Sequence, residues 1–247
     1  IVTLRSENVR SLDDPDEVAK FWDRVVTAQD DLAGVTDRTR PERFVLDEQI
    51  SAGYMHSGYP IMAWLDQLDK VANTVELKKG NWGFFHELGH NHQKGDWTFE
   101  GTGEVTCNIF SMYCFEKVCG LPKEGHNGIT AEGRAKHLKK YFGGGGTFED
   151  WKSDPFLALT LYHQLIDGFG WEPFKKVFRE YRDLRDDQRP KSDTEKHDQW
   201  MVRLSKTVGK NLGPFFQAWG FNPSQTALRS EERRVGKECR SRGAPYH

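Results

Sequence analysis

The sequence predicts an α+β fold that is mostly helical, with a small mixed sheet ahead of its main helices. Apolar residues recur at helical spacing through most of the chain after residue 81, whereas short stretches alternating polar with apolar fall between residues 43 and 62. Length allows a substantial core, since a chain of 247 residues can bury about 73% of its unfolded surface.

Residues 14–33 open the pattern. Val18, Trp22, Val25, Val26 and Leu32 mark one helix face, and Asp14 followed by Pro15 is a start signal, because the N–H that Pro lacks has no partner in a first helical turn anyway. The next stretch alternates around Phe44 to Leu46 and around Ile50 to Tyr54, then breaks at Gly58 and Pro60, which reads as one or two short strands. Helical patterns follow over 81–94 and 102–118, joined by a polar link containing Gly95, Asp96 and Gly101. Further helices fit 131–142, 154–168, 171–184 and 195–208. The Gly143 to Gly146 run reads as a flexible connector, without the Lys-Ser/Thr pair of a phosphate loop. Past residue 227 the charges are dense and aperiodic, so 1–227 is expected to be the domain and 228–247 a disordered or non-native tail.

Composition excludes several classes of function. The formal charge is −2, from 35 Lys+Arg against 37 Asp+Glu, which gives no global field for nucleic acid. No stretch approaches the ~18 consecutive apolar residues of a membrane-spanning helix. Cys107 and Cys114 lie on one predicted helix, roughly 10 Å apart along its axis and beyond disulfide reach. Together with Cys119 and Cys239 they read as free thiols. The chain starts at Ile1 with charges at Arg5, Glu7 and Arg10, as expected of a fragment with no signal peptide. Its compartment is therefore unreadable there, with a secreted or cell-surface place favoured over the cytoplasm.

The strongest chemical signal is His86-Glu87-Leu88-Gly89-His90. Two histidines four apart on a helix are offset by roughly 40° and 6 Å, so both imidazoles reach one zinc ion. Glu87, beside the first ligand, can serve a water molecule at the metal instead of ligating it. Catalytic zinc normally takes three protein ligands, which leaves one to find among His92, Asp96, Glu100, Glu104 and His126. His92 is turned roughly 200° from His90, and Glu100 falls in the link. Glu104 is favoured, since it opens the next helix ahead of Val105, Ile109, Met112 and Tyr113. Asn108, one turn later, could orient that carboxylate or the helix itself.

His86-Glu87-Leu88-Gly89-His90-Asn91 followed by Glu104-Val105-Thr106-Cys107-Asn108 resembles the enhancin-like zinc metallopeptidases. These are gluzincins with a thermolysin-like domain; they include bacterial mucin-degrading proteases and, among eukaryotic relatives, the TRP-channel-associated factors. Arg40-Pro41-Glu42-Arg43, Gln49-Ile50-Ser51-Ala52-Gly53, Met55-His56-Ser57-Gly58-Tyr59-Pro60-Ile61, Phe169-Gly170-Trp171-Glu172-Pro173-Phe174 and Phe215-Phe216-Gln217-Ala218-Trp219-Gly220 resemble the channel-associated members. The resemblance covers residues 4–222. Those members depart from the zinc motif at the position of His90, which this chain keeps.

The resemblance implies a zinc endopeptidase that cleaves glycoprotein or mucin-like substrates, with zinc-activated water as nucleophile and Glu87 as general base. Tyr162 and His163, on the helix starting near Pro155, are candidates to stabilise the oxyanion. His56, Ser57, Gly58 and Tyr59 are candidate substrate contacts, because the glycines admit close backbone approach and a strand edge can pair with an extended peptide. A tight turn explains the same residues. Trp97 and Phe99 either shape a subsite or pack between the two ligand helices. The alternative reading is a non-proteolytic interaction domain with a membrane-protein partner such as an ion channel.

Overall fold

Strand formation begins where β-branched and aromatic residues alternate, and the sheet is mixed as expected. The computed structural model describes residues 1–4, 10, 12 and 14–242. The chain divides into two compact units, one of Ile1–Gln93 with Gly103–Gly133, the other of Lys94–Thr102 with the chain from Arg134 onward.

In the first unit, β1 (Val2–Thr3), β2 (Phe44–Asp47), β3 (Met55–His56) and β4 (Ile61–Trp64) form a sheet of order β1-β2-β4-β3. β2 runs parallel to β1 and β4, while β3 pairs antiparallel with β4 and forms an edge. The expected strand over Ile50 to Tyr54 is not formed, and extended structure starts at Met55 instead. Gly53 sits at φ 59°, which an extended chain does not adopt, and Asp47 has already ended β2 by accepting from the backbone N–H of Glu48 and Gln49.

Phe44, Leu46, Met55, Ile61 and Ala63 share the buried sheet face. They join one core with Val18, Phe21, Trp22 and Val25 of α1 (Pro15–Ala33) and with Phe84, Phe85 and Leu88 of α4 (Trp82–His92). α1 starts as predicted, with the Asp14 carboxylate accepting from Glu17 N–H, and ends at Gly34 in the left-handed region at φ 72°. α2 (Leu68–Ala72) and α3 (Thr74–Lys78) are new; five residues are too few to show a period. α5 (Gly103–Lys117) is buried on every side from Val105 to Phe115.

The second unit is built on aromatic side chains. α6 (Ala131–Gly143) leads from the first unit, and α7 (Phe148–Lys152), α8 (Pro155–Phe169), α9 (Glu172–Arg182), α10 (Asp193–Val208) and α11 (Gly213–Ala218) follow. Trp97 packs 4.7 Å from Phe178, and Phe99 packs 5.8 Å from Phe221. The two rings of the link are thus core residues of this unit rather than packing between the ligand helices. The Gly143 to Gly146 run is a tight turn rather than a flexible connector. A Cβ at Gly220 would meet the Gly146 carbonyl at 2.5 Å, and Tyr141 Oη–H donates to the Trp219 carbonyl beside it.

The expected disorder from residue 228 is replaced by α12 (Gln225–Arg242). Ala227 and Glu231 are buried, and the Arg234 guanidinium donates to the Ser205 and Lys210 carbonyls at the C-terminal end of α10, where the helix dipole favours a cation. Residues 243–247 and the Cys239 side chain lie outside the described residues; Cys107, Cys114 and Cys119 are free thiols. No helix among the described residues is long and apolar enough to cross a membrane.

Candidate metal centre

The site begins with a close crossing of two helices. A Cβ at Gly89 would lie 2.5 Å from the Cys107 carbonyl, so only glycine lets α4 come this near to α5. Asn81 caps α4 by accepting from Phe84 N–H. The crossing turns His86 and His90 of one helix toward Glu104 in the first turn of the other.

These three side chains form a small triangle. His86 Nε2 lies 3.0 Å from His90 Nε2 and 3.0 Å from Glu104 Oε2, and His90 Nε2 lies 3.4 Å from the same oxygen. Donors held 2.0–2.1 Å from a tetrahedral ion are about 3.3 Å apart, which is the size of this triangle.

The second hydrogen bond of each imidazole fixes its tautomer. Asn108 Nδ2 donates to the Glu104 carbonyl and Trp82 Nε1–H donates to Asn108 Oδ1, so that oxygen accepts and His86 Nδ1–H must donate to it, at 2.7 Å. Gln93 repeats the device. Its Nε2 donates to the Gly103 carbonyl and Thr106 Oγ1, which leaves Oε1 to accept from His90 Nδ1–H at 2.8 Å. In their neutral form both imidazoles therefore turn a bare Nε2 toward the Glu104 carboxylate, an arrangement that a cation stabilises. The donor set fits zinc, and Glu104, 64% exposed, leaves the remaining direction open to solvent.

Among the described residues, the one group of His, Cys, Asp and Glu atoms close enough to hold a metal ion also contains Cys107. Its Sγ is 3.5 Å from His86 Nδ1 and 3.8 Å from Nε2, so it packs beside the ring instead of beyond its ligating nitrogen. Asn108 orients His86 and touches only the main chain of Glu104, not its carboxylate as one option had it. His92 is buried, held between the Leu88 carbonyl and Asp30. His126 packs at a tilt against Trp82 and accepts from Gly128 N–H, while Glu100 and Asp96 belong to the second unit, bonded to Asp193 and Arg189.

Glu87 and Asn91 lie one turn apart on a neighbouring stripe of α4 and meet the segment after β3. Burial raises the Glu87 carboxyl above its ordinary range, the nearby Glu104 carboxylate adds to this, and His86, His90 and the Ser57 N–H bonded to it oppose the rise. Asn91 brackets Gly58, accepting from its N–H at 3.1 Å and donating to its carbonyl at 3.0 Å. Asn91 and Gln93 were not foreseen in these roles. The one available signal was amide side chains within three residues of His90.

The remaining expected residues divide. Ser57 and Gly58 sit against the α4 stripe, His56 is tied to the Ser57 carbonyl and Ser51 Oγ, and Tyr59 is exposed. Tyr162 is buried in the second unit between Trp151 and Trp200, and burial pushes its phenol far up. His163 is buried on the same helix with its Nδ1 3.0 Å from Asp167. Both are therefore interior residues rather than groups presented to a substrate, because apolar neighbours outweigh the polar tip in placing each ring.

Comparison with known proteins extends the similarity over most of the chain. A family model described as peptidase M60, enhancin and enhancin-like matches residues 1–220. A TRPM8 channel-associated factor homolog of Xenopus laevis is 41% identical over 238 residues, 94% of this chain and 25% of that protein. The chain thus spans about a quarter of the curated relative's length. A crystal structure of a functionally unknown conserved protein from Bacillus anthracis aligns with TM-score 0.79 and 28% identity over 94% of this chain and 49% of that one. IMPa from Pseudomonas aeruginosa, in complex with an O-glycopeptide, aligns with TM-score 0.66 over 95% of this chain and 34% of that one; at 18% identity it shows the shared fold alone.

Proposed function

This chain belongs to the peptidase M60, enhancin and enhancin-like family, and on that premise we propose that it is a zinc-dependent endopeptidase acting on glycoprotein substrates. The observation that carries the reading is the close triangle of His86, His90 and Glu104 with Glu87 beside it. When bound there, zinc supplies Lewis acidity, lowering the pKa of water and polarising a carbonyl. The protein's own groups do the rest. Asn108 and Gln93 hold both imidazoles with Nε2 bare, Glu104 contributes negative charge, and Glu87 takes a proton from the attacking water and passes it to the leaving amine. The glycoprotein preference and a secreted or cell-surface place come from the family resemblance.

A second reading rests on a specific observation. The similarity to channel-associated factors supports an interaction domain for a membrane protein. Glu87→Gln separates the two. The amide keeps the shape and cannot take the proton, so cleavage of O-glycosylated proteins should fall by roughly 10²- to 10⁴-fold while zinc stoichiometry is unchanged. Equal cleavage by both proteins sinks the mechanism, and a zinc-loaded wild type that cleaves nothing across a broad panel favours the interaction domain.

A further inference from the structure

The Arg38 guanidinium is held by Asp30 and Glu42, and Glu42 Oε2 in turn accepts from Asn91 Nδ2 at 3.1 Å. Two residues earlier, Arg40 differs. Its guanidinium carbon lies 3.8 Å from the centroid of the Tyr59 ring, both residues are exposed, and among the described residues the Arg40 side chain makes no hydrogen bond or ion pair.

The position of this pair is fixed from both sides. Tyr59 follows Gly58, whose N–H and C=O are both bonded by Asn91; Arg40 precedes Pro41 and Glu42, whose carboxylate is bonded by the same amide. Asn91 itself follows the ligand His90 and shares a stripe with Glu87. One amide thus ties the two segments carrying the pair to the residue next to a metal ligand. Laid on an aromatic face, a guanidinium gives up little further freedom on binding and keeps its N–H edge for a partner.

We propose that Arg40, supported by Tyr59, is a subsite that reads a carboxylate on the substrate close to the scissile bond. The carboxylate belongs to an acidic side chain of the peptide or to an acidic sugar of its glycan; a planar guanidinium edge pairs with either in the same two-pronged way. The subsite deepens the endopeptidase reading and rests on it for the nature of the substrate.

The test uses the whole chain and three matched fluorescent O-glycopeptides: one neutral, one with a Glu beside the glycosylated residue, and one whose glycan ends in sialic acid. Binding is followed by anisotropy in EDTA, where no turnover intervenes, and cleavage is followed separately with zinc. At least one acidic probe should bind roughly 3- to 10-fold more tightly than the neutral one, a ratio expected for one partly solvated charge-assisted contact. Arg40→Gln should erase that preference, Arg40→Lys should retain part of it, and Tyr59→Leu should weaken it. Which acidic probe responds identifies the source of the carboxylate. Equal binding of all probes, no binding of any, or a preference that survives Arg40→Gln overturns the subsite. Acid-selective binding through Arg40 with no cleavage in zinc leaves the subsite standing and removes the peptidase reading instead.

Discussion

The two compact units differ in how many buried polar atoms they leave without a partner. In the first, buried polar side chains are chained together: Gln29 donates to the Phe85 carbonyl, Trp22 Nε1–H to the Val71 carbonyl, and His92, Asp30, Arg38, Glu42 and Asn91 form a continuous run of contacts. In the second, Trp97, Trp151 and Trp200 bury indole N–H groups, and Tyr162 a hydroxyl, without any partner. A side chain that must point one way needs directional bonds, while a side chain that only fills space does not. The metal-ligand triangle lies in the unit that leaves fewer buried polar atoms without a partner, Gln29 Oε1 and Gln67 Oε1.

The largest expected effect comes from removing the close approach that lets the helices cross in the first unit. A methyl at residue 89 meets a main-chain carbonyl at 2.5 Å, and a backbone yields less readily than a side-chain tip. Gly89→Ala should cost about 1–3 kcal/mol of stability, and it should also spread the ligand triangle and weaken zinc binding. Thermal unfolding with and without zinc measures both. Unchanged affinity and melting would show that the crossing does not set the site.

Next is the orientation of the imidazoles. Asn108→Ala leaves His86 Nδ1 without an acceptor and Trp82 without its partner, so zinc affinity should fall by roughly 10- to 100-fold. Gln93→Ala should act likewise through His90. Competition with a chelator gives the constants, and wild-type affinity in both variants would mean that the crossing alone orients the rings.

A paired substitution sharpens the contrast between the units. Trp22 and Trp151 are both buried, but only Trp22 donates a hydrogen bond, to Val71. Each Trp→Phe change loses similar apolar contact. Trp22→Phe also strands a buried carbonyl, so it should cost about 1–2 kcal/mol more than Trp151→Phe. Chemical denaturation of the two variants decides it, and equal costs would indicate that ordered water already serves the Trp151 indole.

The legible parts of the sequence were those governed by local periodicity. The four-residue spacing of His86 and His90, the start of α1 at Asp14-Pro15 and the helical stripe after Glu104 all act within a turn or two of chain. The strand expected over Ile50 to Tyr54 starts instead at Met55 because Gly53 departs from extended backbone, a choice not visible in polar-apolar alternation. Asn91 was silent because its partners, Gly58 and Glu42, lie 33 and 49 residues away in sequence. Trp97 and Phe99 sit beside the metal motif in sequence yet bury themselves in the other unit's core. Tyr162 and His163 show the same limit, since a polar tip on a helix does not reveal whether the tip meets solvent.

The smallest effect tests whether an imidazole among the aromatic rings of the second unit is costly to charge. His197 is surrounded by the rings of Phe99, Phe148 and Phe221 at 4.5–5.0 Å. Burial lowers its pKa from the ordinary value of 6.5; Lys196 adds slightly to this, and Asp193 and Asp198 oppose it. The folded protein therefore binds fewer protons at this residue than the unfolded chain over the interval between the lowered value and 6.5. Stability from the neutral ring is fully present above that interval and declines as pH falls through it. His197→Phe keeps an aromatic ring among aromatic rings and removes the titration. Its unfolding free energy should lose this component of the decline below about pH 6.5, by well under the cost of the Gly89 change, while Glu100 N–H keeps its bond to Asp193. Denaturant unfolding from pH 7.5 down to 5 resolves the slope. Identical slopes for wild type and variant would mean that Asp193, 3.2 Å from His197 Nε2, already compensates the charge.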